Sequence, residues 1–167
     1  RAVEDSMKNI LNLFARHERE LFQKRGFTPA YFELKFGEPR NSDLGYLKIE
    51  NSGDPILIEG QIDRVDILKD KRQAFVIDYK RSTREFSVHD RLRMELEFQL
   101  PIYIMAVQRL LHRDVAGAEL RVLKEAKEEG LYRDSSSDLL GLHANTRTYG
   151  AAEFENILSN TEKRIRQ

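Results

Sequence analysis

Two apolar stretches of this chain each carry an acid where a buried strand would ordinarily carry none. The first is Gly60-Gln61-Ile62-Asp63-Arg64-Val65-Asp66, and the second is Val76-Ile77-Asp78-Tyr79-Lys80. A carboxylate inside a Val/Ile run is costly to desolvate unless a cation or a positive side chain compensates it. Residues two apart in a strand share a face, about 7 Å apart along the chain, so Asp78 and Lys80 point the same way. Between the stretches, Lys69-Asp70-Lys71-Arg72 is polar throughout and reads as a hairpin turn. Taking Asp70-Lys71 as a two-residue loop pairs Ile67 with Ala74, Val65 with Val76, Asp63 with Asp78 and Gln61 with Lys80. Directly opposed Cβ atoms lie roughly 4.5–5.5 Å apart. Two bare carboxylates at that separation repel, so the pairing calls for a divalent cation between them, with Lys80 at its edge. A loop one residue longer would offset the pairing, and a merely salt-bridged hairpin is the plainer alternative.

The rest of the composition narrows the setting. A chain of 167 residues supports one domain, taken here as residues 1–167. It contains no cysteine, which excludes disulfides, thiol catalysis and cysteine-ligated zinc or iron–sulfur clusters within these residues. Lys plus Arg equals Asp plus Glu at 28 each, so any affinity for nucleic acid must come from local charge. No apolar run approaches the ~20 residues needed to span a bilayer, and no signal-peptide pattern opens the chain. The first residue is Arg1, so a piece of a longer, soluble, cytoplasmic protein is expected.

Hydrophobic periodicity places the remaining elements. Val3, Met7, Ile10, Phe14, His17 and Leu21 recur at steps of four and three, the stripe of a helix over about Val3–Gln23. His17 in that stripe reads as a packed, hydrogen-bonded residue. Thr28–Phe36 alternates, with Phe32, Leu34 and Phe36 on one face and Tyr31, Glu33 and Lys35 on the other. Glu33 could approach the acidic site, but pairing with Lys35 or another cation at the sheet surface is the expectation. Gly45–Ile49 reads as a short strand, Asn51–Pro55 as a turn, and Ile56 as the entry to the central hairpin. Ser87 followed by Asp90 resembles a capping box, opening a helical pattern to about Leu111 that Pro101 should kink. On its apolar face Gln99 and Tyr103 are polar interruptions one turn apart. Gly117–Leu123 reads as a strand, Glu125–Ser137 as a loop, Leu139–Thr148 as an ambiguous short strand, and Ala151–Ile165 as a helix. His89, His112 and His143 show no ligand spacing.

Asp63, Asp78 and Lys80 together describe metal-assisted hydrolysis. Magnesium takes oxygen ligands and keeps several waters, so two carboxylates and a main-chain carbonyl suffice as protein ligands. Lys80 would orient or deprotonate the attacking water, or stabilise developing charge. Arg81-Ser82-Thr83-Arg84-Glu85, polar and mostly basic, gives with Arg91 and Arg93 a local positive excess beside the acids, which suits a phosphate backbone. An ordinary solvated loop is the alternative for that segment.

Gly60-x-x-Asp63-Arg64-x-Asp66, Asp78-Tyr79-Lys80-Arg81-Ser82 and Gln99-x-x-x-Tyr103, in this order and at these gaps, resemble the RecB-type branch of the PD-(D/E)xK nuclease superfamily. Gly26-Phe27-Thr28-Pro29 and Phe32-Glu33-Leu34-Lys35-Phe36-Gly37 are similar to the lead-in of AddB-type nuclease domains within that branch. The resemblance implies a mixed α/β fold, a restriction-endonuclease-like core with a central mixed sheet flanked by helices. It implies a Mg²⁺- or Mn²⁺-dependent DNA exonuclease that works with a helicase subunit or domain in double-strand break repair. Asp63, Asp78 and the Tyr79 carbonyl would be metal ligands and Lys80 the catalytic lysine. Gln99 and Tyr103 would organise the site and contact DNA alongside Arg81 and Arg84, while Arg64 and Asp66 read as structural. The family also carries a histidine or glutamate ligand on an early helix, expected upstream of Arg1, with His17 as the in-chain alternative. Its AddB-type members tend to hold an iron–sulfur cluster on four cysteines, which this chain does not contain. A non-cleaving DNA-binding or scaffolding module and a CRISPR-associated or phage exonuclease of the same branch are the rival readings.

Overall fold

Runs rich in Val, Ile, Phe and Tyr build the central sheet of the computed structural model, which describes residues 2–68, 72–82, 87–94 and 96–167. The strands are β1 (Phe27–Phe36), β2 (Leu47–Ile49), β3 (Ile56–Ile58), β4 (Gly60–Leu68), β5 (Gln73–Lys80), β6 (Asp114–Val122) and β7 (Lys127–Tyr132). The helices are α1 (Ala2–Lys24), α2 (Val88–Arg93), α3 (Gln99–Leu110) and α4 (Ala151–Ile165). Five strands form one sheet in the order β1-β4-β5-β6-β7, and β2 and β3 pair separately. The β5–β6 pair is parallel and the other three are antiparallel. A parallel pair needs a crossover, supplied by α2 and α3, with α3 packed on β5 and β6. This is a mixed α/β architecture of the restriction-endonuclease-like kind.

The period of two along β5 divides the molecule into two sides. Ala74 and Val76 face the larger core, with Leu100, Ile104 and Val107 of α3 and Phe154 and Leu158 of α4; this is the front. Phe75 and Ile77 face a smaller cluster with Phe27, Ala116, Tyr132 and Leu140; this is the back, which α1 covers. The hairpin register follows the expectation as far as it runs. Ile67 pairs with Ala74 and Val65 with Val76, and the ladder ends at Arg64 with Ile77, one pair short of Asp63 and Asp78. The turn assigned to Asp70 and Lys71 lies outside the described residues.

Several elements depart from the sequence pattern. Leu34 and Phe36 are buried, but Phe32 is 66 % exposed. Glu33 has a φ of 52°, a left-handed backbone that breaks the period of two, so Tyr31 packs with Leu34 and Phe36 at the front. Ile56 begins β3, which pairs with β2 and not with the central hairpin. In α1, Leu21 is buried while Met7 is largely exposed. The long helical pattern after Ser87 is two helices. Ser87 Oγ caps α2 as expected, accepting the Asp90 N–H at 3.1 Å. The chain leaves the helix after Arg93 and restarts at Gln99. Pro101 therefore lies in the first turn of α3, where its missing N–H costs nothing, and it introduces no kink. Residues 127–132, read as loop, form β7; the strand is charged because its side chains are paired, Lys127 with Glu129 at 2.8 Å and Glu128 with His17 at 2.7 Å. Residues 139–148 form turns, not a strand. Among the described residues no helix is long and apolar enough to cross a membrane.

Candidate active site

The glycine that opens β4 is a packing requirement. A Cβ on Gly60 would fall 2.8 Å from the Phe36 ring. Without one, Phe36 lies across the strand and meets Tyr103 of α3 edge-on, with ring centroids 6.3 Å apart. That contact holds the first turns of α3 over the ends of β4 and β5.

Where the β4–β5 ladder stops, side chains take over. Asp63 Oδ2 accepts the Tyr79 N–H at 2.8 Å. The N–H and C=O of a strand residue face the same neighbouring strand, so the Tyr79 carbonyl is directed toward β4 as well. Asp78 is only 2 % exposed. Its Oδ1 accepts Gln99 Nε2–H at 2.8 Å, and its Oδ2 lies 2.6 Å from Lys80 Nζ. Gln99 Nε2 also reaches the Tyr103 hydroxyl at 3.1 Å. Burial pushes the Tyr103 phenol above its ordinary pKa; the Gln99 hydrogen bond opposes this, and the charges of Asp78 and Asp63 add to it. Two carboxylates acting on one phenol mark a single patch of negative charge.

The front of the sheet thus gathers Asp63, Asp78, Lys80, Gln99 and Tyr103 with the main chain of Tyr79, whose ring lies on the back. Arg81 follows as an exposed residue whose carbonyl accepts the Lys124 N–H at 3.2 Å. Arg84 lies outside the described residues. Arg91 does not join a basic surface: it is buried and paired with Glu97 at 2.5 Å. Arg93 is exposed, 3.6 Å from Asp90. His17 sits on the back, its Nε2 2.7 Å from Glu128 Oε2, apart from the front group. Glu33 accepts a hydrogen bond from the neutral Gln61 amide in place of the expected cation.

Sequence reasoning missed Glu97. This buried acid accepts the Leu100 N–H at 3.2 Å, capping the helix end that carries Gln99, and Arg91 holds it there. An acid immediately ahead of a helix start was the available signal.

Two carboxylates and a main-chain carbonyl make an all-oxygen donor set, which fits a hard dication of the Mg²⁺ or Mn²⁺ type. Among the described residues no group of three or more His, Asp or Glu is arranged to hold a metal.

Comparison with known proteins places the chain in a family. The chain is 41 % identical over 91 residues to AddB, an ATP-dependent helicase/deoxyribonuclease subunit, of Alkaliphilus oremlandii, covering 53 % of this chain and 8 % of that protein. It is 35 % identical over 112 residues to the same subunit of Clostridium kluyveri, covering 63 % and 9 %. It is 33 % identical over 108 residues to that of Clostridium botulinum, again covering 63 % and 9 %. The chain therefore spans less than a tenth of the length of these relatives. The family model of the PD-(D/E)XK nuclease superfamily matches residues 2–167. With a mixed five-stranded sheet flanked by helices under that match, the chain belongs to the PD-(D/E)XK nuclease superfamily.

Proposed function

We propose that this chain is a single nuclease domain of a longer cytoplasmic protein, a Mg²⁺- or Mn²⁺-dependent DNA exonuclease acting with a helicase on double-strand breaks. The observation that carries this reading is the continuous front network. Lys80, Asp78, Gln99 and Tyr103 are linked by contacts of 2.6–3.1 Å, and Asp63 joins through the Tyr79 N–H at 2.8 Å. The relatives named as helicase/deoxyribonuclease subunits supply the setting.

A dication bound there would polarise a phosphate oxygen and favour hydroxide at a water. Asp63, Asp78 and the Tyr79 carbonyl are the residues that would hold it. Gln99 donates to Asp78 Oδ1 and so fixes which oxygen turns toward the opening. Lys80, a quarter exposed, stands at the rim, where it orients the water or stabilises charge on the phosphate. Tyr103 contacts the DNA, and Arg81 and Arg84 neutralise phosphates along the strand.

The test is degradation of end-labelled single- and double-stranded DNA with Mg²⁺, with Mn²⁺ and with chelator. Metal-dependent loss of label from the ends is expected, and neither Asp78→Ala nor Lys80→Ala should support it. Activity persisting in both variants would sink the assignment. A second reading, a DNA-binding module that no longer cleaves, is favoured by the two-acid donor set among the described residues. It predicts salt-sensitive DNA binding without turnover and no Mn²⁺ uptake that depends on Asp63.

A further inference from the structure

Asp63 and Asp78 come immediately after the point where β4 and β5 stop pairing through the backbone. Two side-chain bonds tie the strands together there, and both end on Tyr79. On the front, Asp63 Oδ2 accepts the Tyr79 N–H at 2.8 Å. On the back, Arg64 Nη1 donates to the Tyr79 phenol oxygen at 3.0 Å. Arg64 is itself held: its Nε and Nη2 donate to the two Asp66 oxygens at 2.5 and 2.6 Å, and its Nη1 donates to Glu18 of α1 at 2.9 Å. The Tyr79 ring is fixed edge-on against Phe14 of α1, centroid to centroid 5.7 Å.

We infer that Arg64 and the Tyr79 hydroxyl form a positioning clasp, buttressed by Glu18, that sets the gap between Asp63 and Asp78. The inference rests on the cation-binding reading proposed above. If Asp63 turns its carboxylate to a cation, its bond to the Tyr79 N–H weakens, and the back-face bond is then what keeps the opening at its width. Fixing the Tyr79 side chain also fixes its carbonyl, which faces the same opening. Arg64 and the hydroxyl touch neither substrate nor cation; they act through Asp63 and the Tyr79 main chain.

Tyr79→Phe removes the hydroxyl alone and leaves the ring on Phe14. The 167-residue protein and this variant are titrated with Mn²⁺ by calorimetry, and kcat, KM for end-labelled DNA and Tm are measured alongside. The clasp predicts Mn²⁺ affinity weaker by about 10–100-fold, the range for groups that orient metal ligands. It further predicts a matching fall in kcat, an unchanged KM and a Tm within a few degrees. Arg64→Lys breaks the same bond, so the double variant should lose no more than the worse single one. Mn²⁺ affinity and kcat within twofold of the parent in folded Tyr79→Phe overturn the clasp, whatever Arg64→Lys does. A parent protein that neither takes up Mn²⁺ nor cleaves overturns the cation reading itself, and that outcome is read before any variant is made.

Discussion

The two sides of the sheet bury acids equally well but compensate them differently. On the back, Glu119 is fully buried and accepts hydrogen bonds from Arg25 and Arg121 at 2.7 Å each and from the Tyr132 hydroxyl at 3.2 Å. Glu18 accepts from Arg121 and Arg64, and Asp66 takes both arms of Arg64. On the front, Asp78 is as buried as Asp66, at 2 % against 4 %, yet a neutral amide and a lysine stand where the back uses guanidinium groups. Guanidinium forks locked on two sides cannot leave, whereas a lysine on a flexible stem can. Burial alone therefore does not distinguish the acids of the two sides; the kind of compensator does. The back is complete as it stands, and on the reading proposed above the front accepts a further cation.

The sharpest way to break that contrast is to neutralise one acid on each side. Asp78→Asn should lower DNA cleavage by roughly a thousandfold or more while leaving Tm unchanged or slightly raised, because it relieves repulsion with Asp63. A large Tm loss would mean that the front acid is structural too. Glu119→Gln should do the reverse and cost about 3–5 kcal/mol of stability in urea unfolding, because it removes the fully buried anion that Arg25 and Arg121 share.

Acid titration sharpens the back side. Burial by itself would raise the Glu119 carboxyl, but Arg25 and Arg121 hold it down at about 2. Its folded value lies below its ordinary one near 4.5. The stability it contributes is thus fully present above about pH 4.5 and is lost as pH falls toward 2. Acid unfolding followed by circular dichroism should be steeper in that window for the parent than for Glu119→Gln. Equal slopes would show that Glu119 does not drive the transition.

Smaller effects are expected at the margins of each side. Tyr103→Phe keeps the ring on Phe36 and loses the bond from Gln99, so cleavage should fall by about tenfold or less, the value of one ordinary hydrogen bond. Phe32→Ser should change stability by no more than about 0.5 kcal/mol, as surface substitutions do. A larger loss would mean that Phe32 is covered.

The front was largely legible in the sequence because its signals are local. Acids in apolar runs, a polar turn between them and a Gln/Tyr pair one helical turn apart can each be read from spacing, and the hairpin register is the one the turn length implies. The back was not legible, because its pairs are distant in the chain. Glu18 and Arg121 stand 103 residues apart, and Arg25 and Glu119 stand 94 apart. Neither partner looks unusual alone; His17 and Glu128 are a similar case, and without the pairing β7 reads as a charged loop. Phe32 departs for a different reason: one left-handed residue, Glu33, inverts the alternation beyond it, and nothing in Glu33 announces that backbone.

The central claim is that the front carboxylates together hold a divalent cation. Mn²⁺ binding followed by electron paramagnetic resonance tests it without DNA or turnover. The account predicts that the parent protein depletes the signal of aqueous Mn²⁺, and that Asp63→Asn combined with Asp78→Asn abolishes this uptake while the fold persists. Undiminished Mn²⁺ uptake in the folded double variant would contradict it.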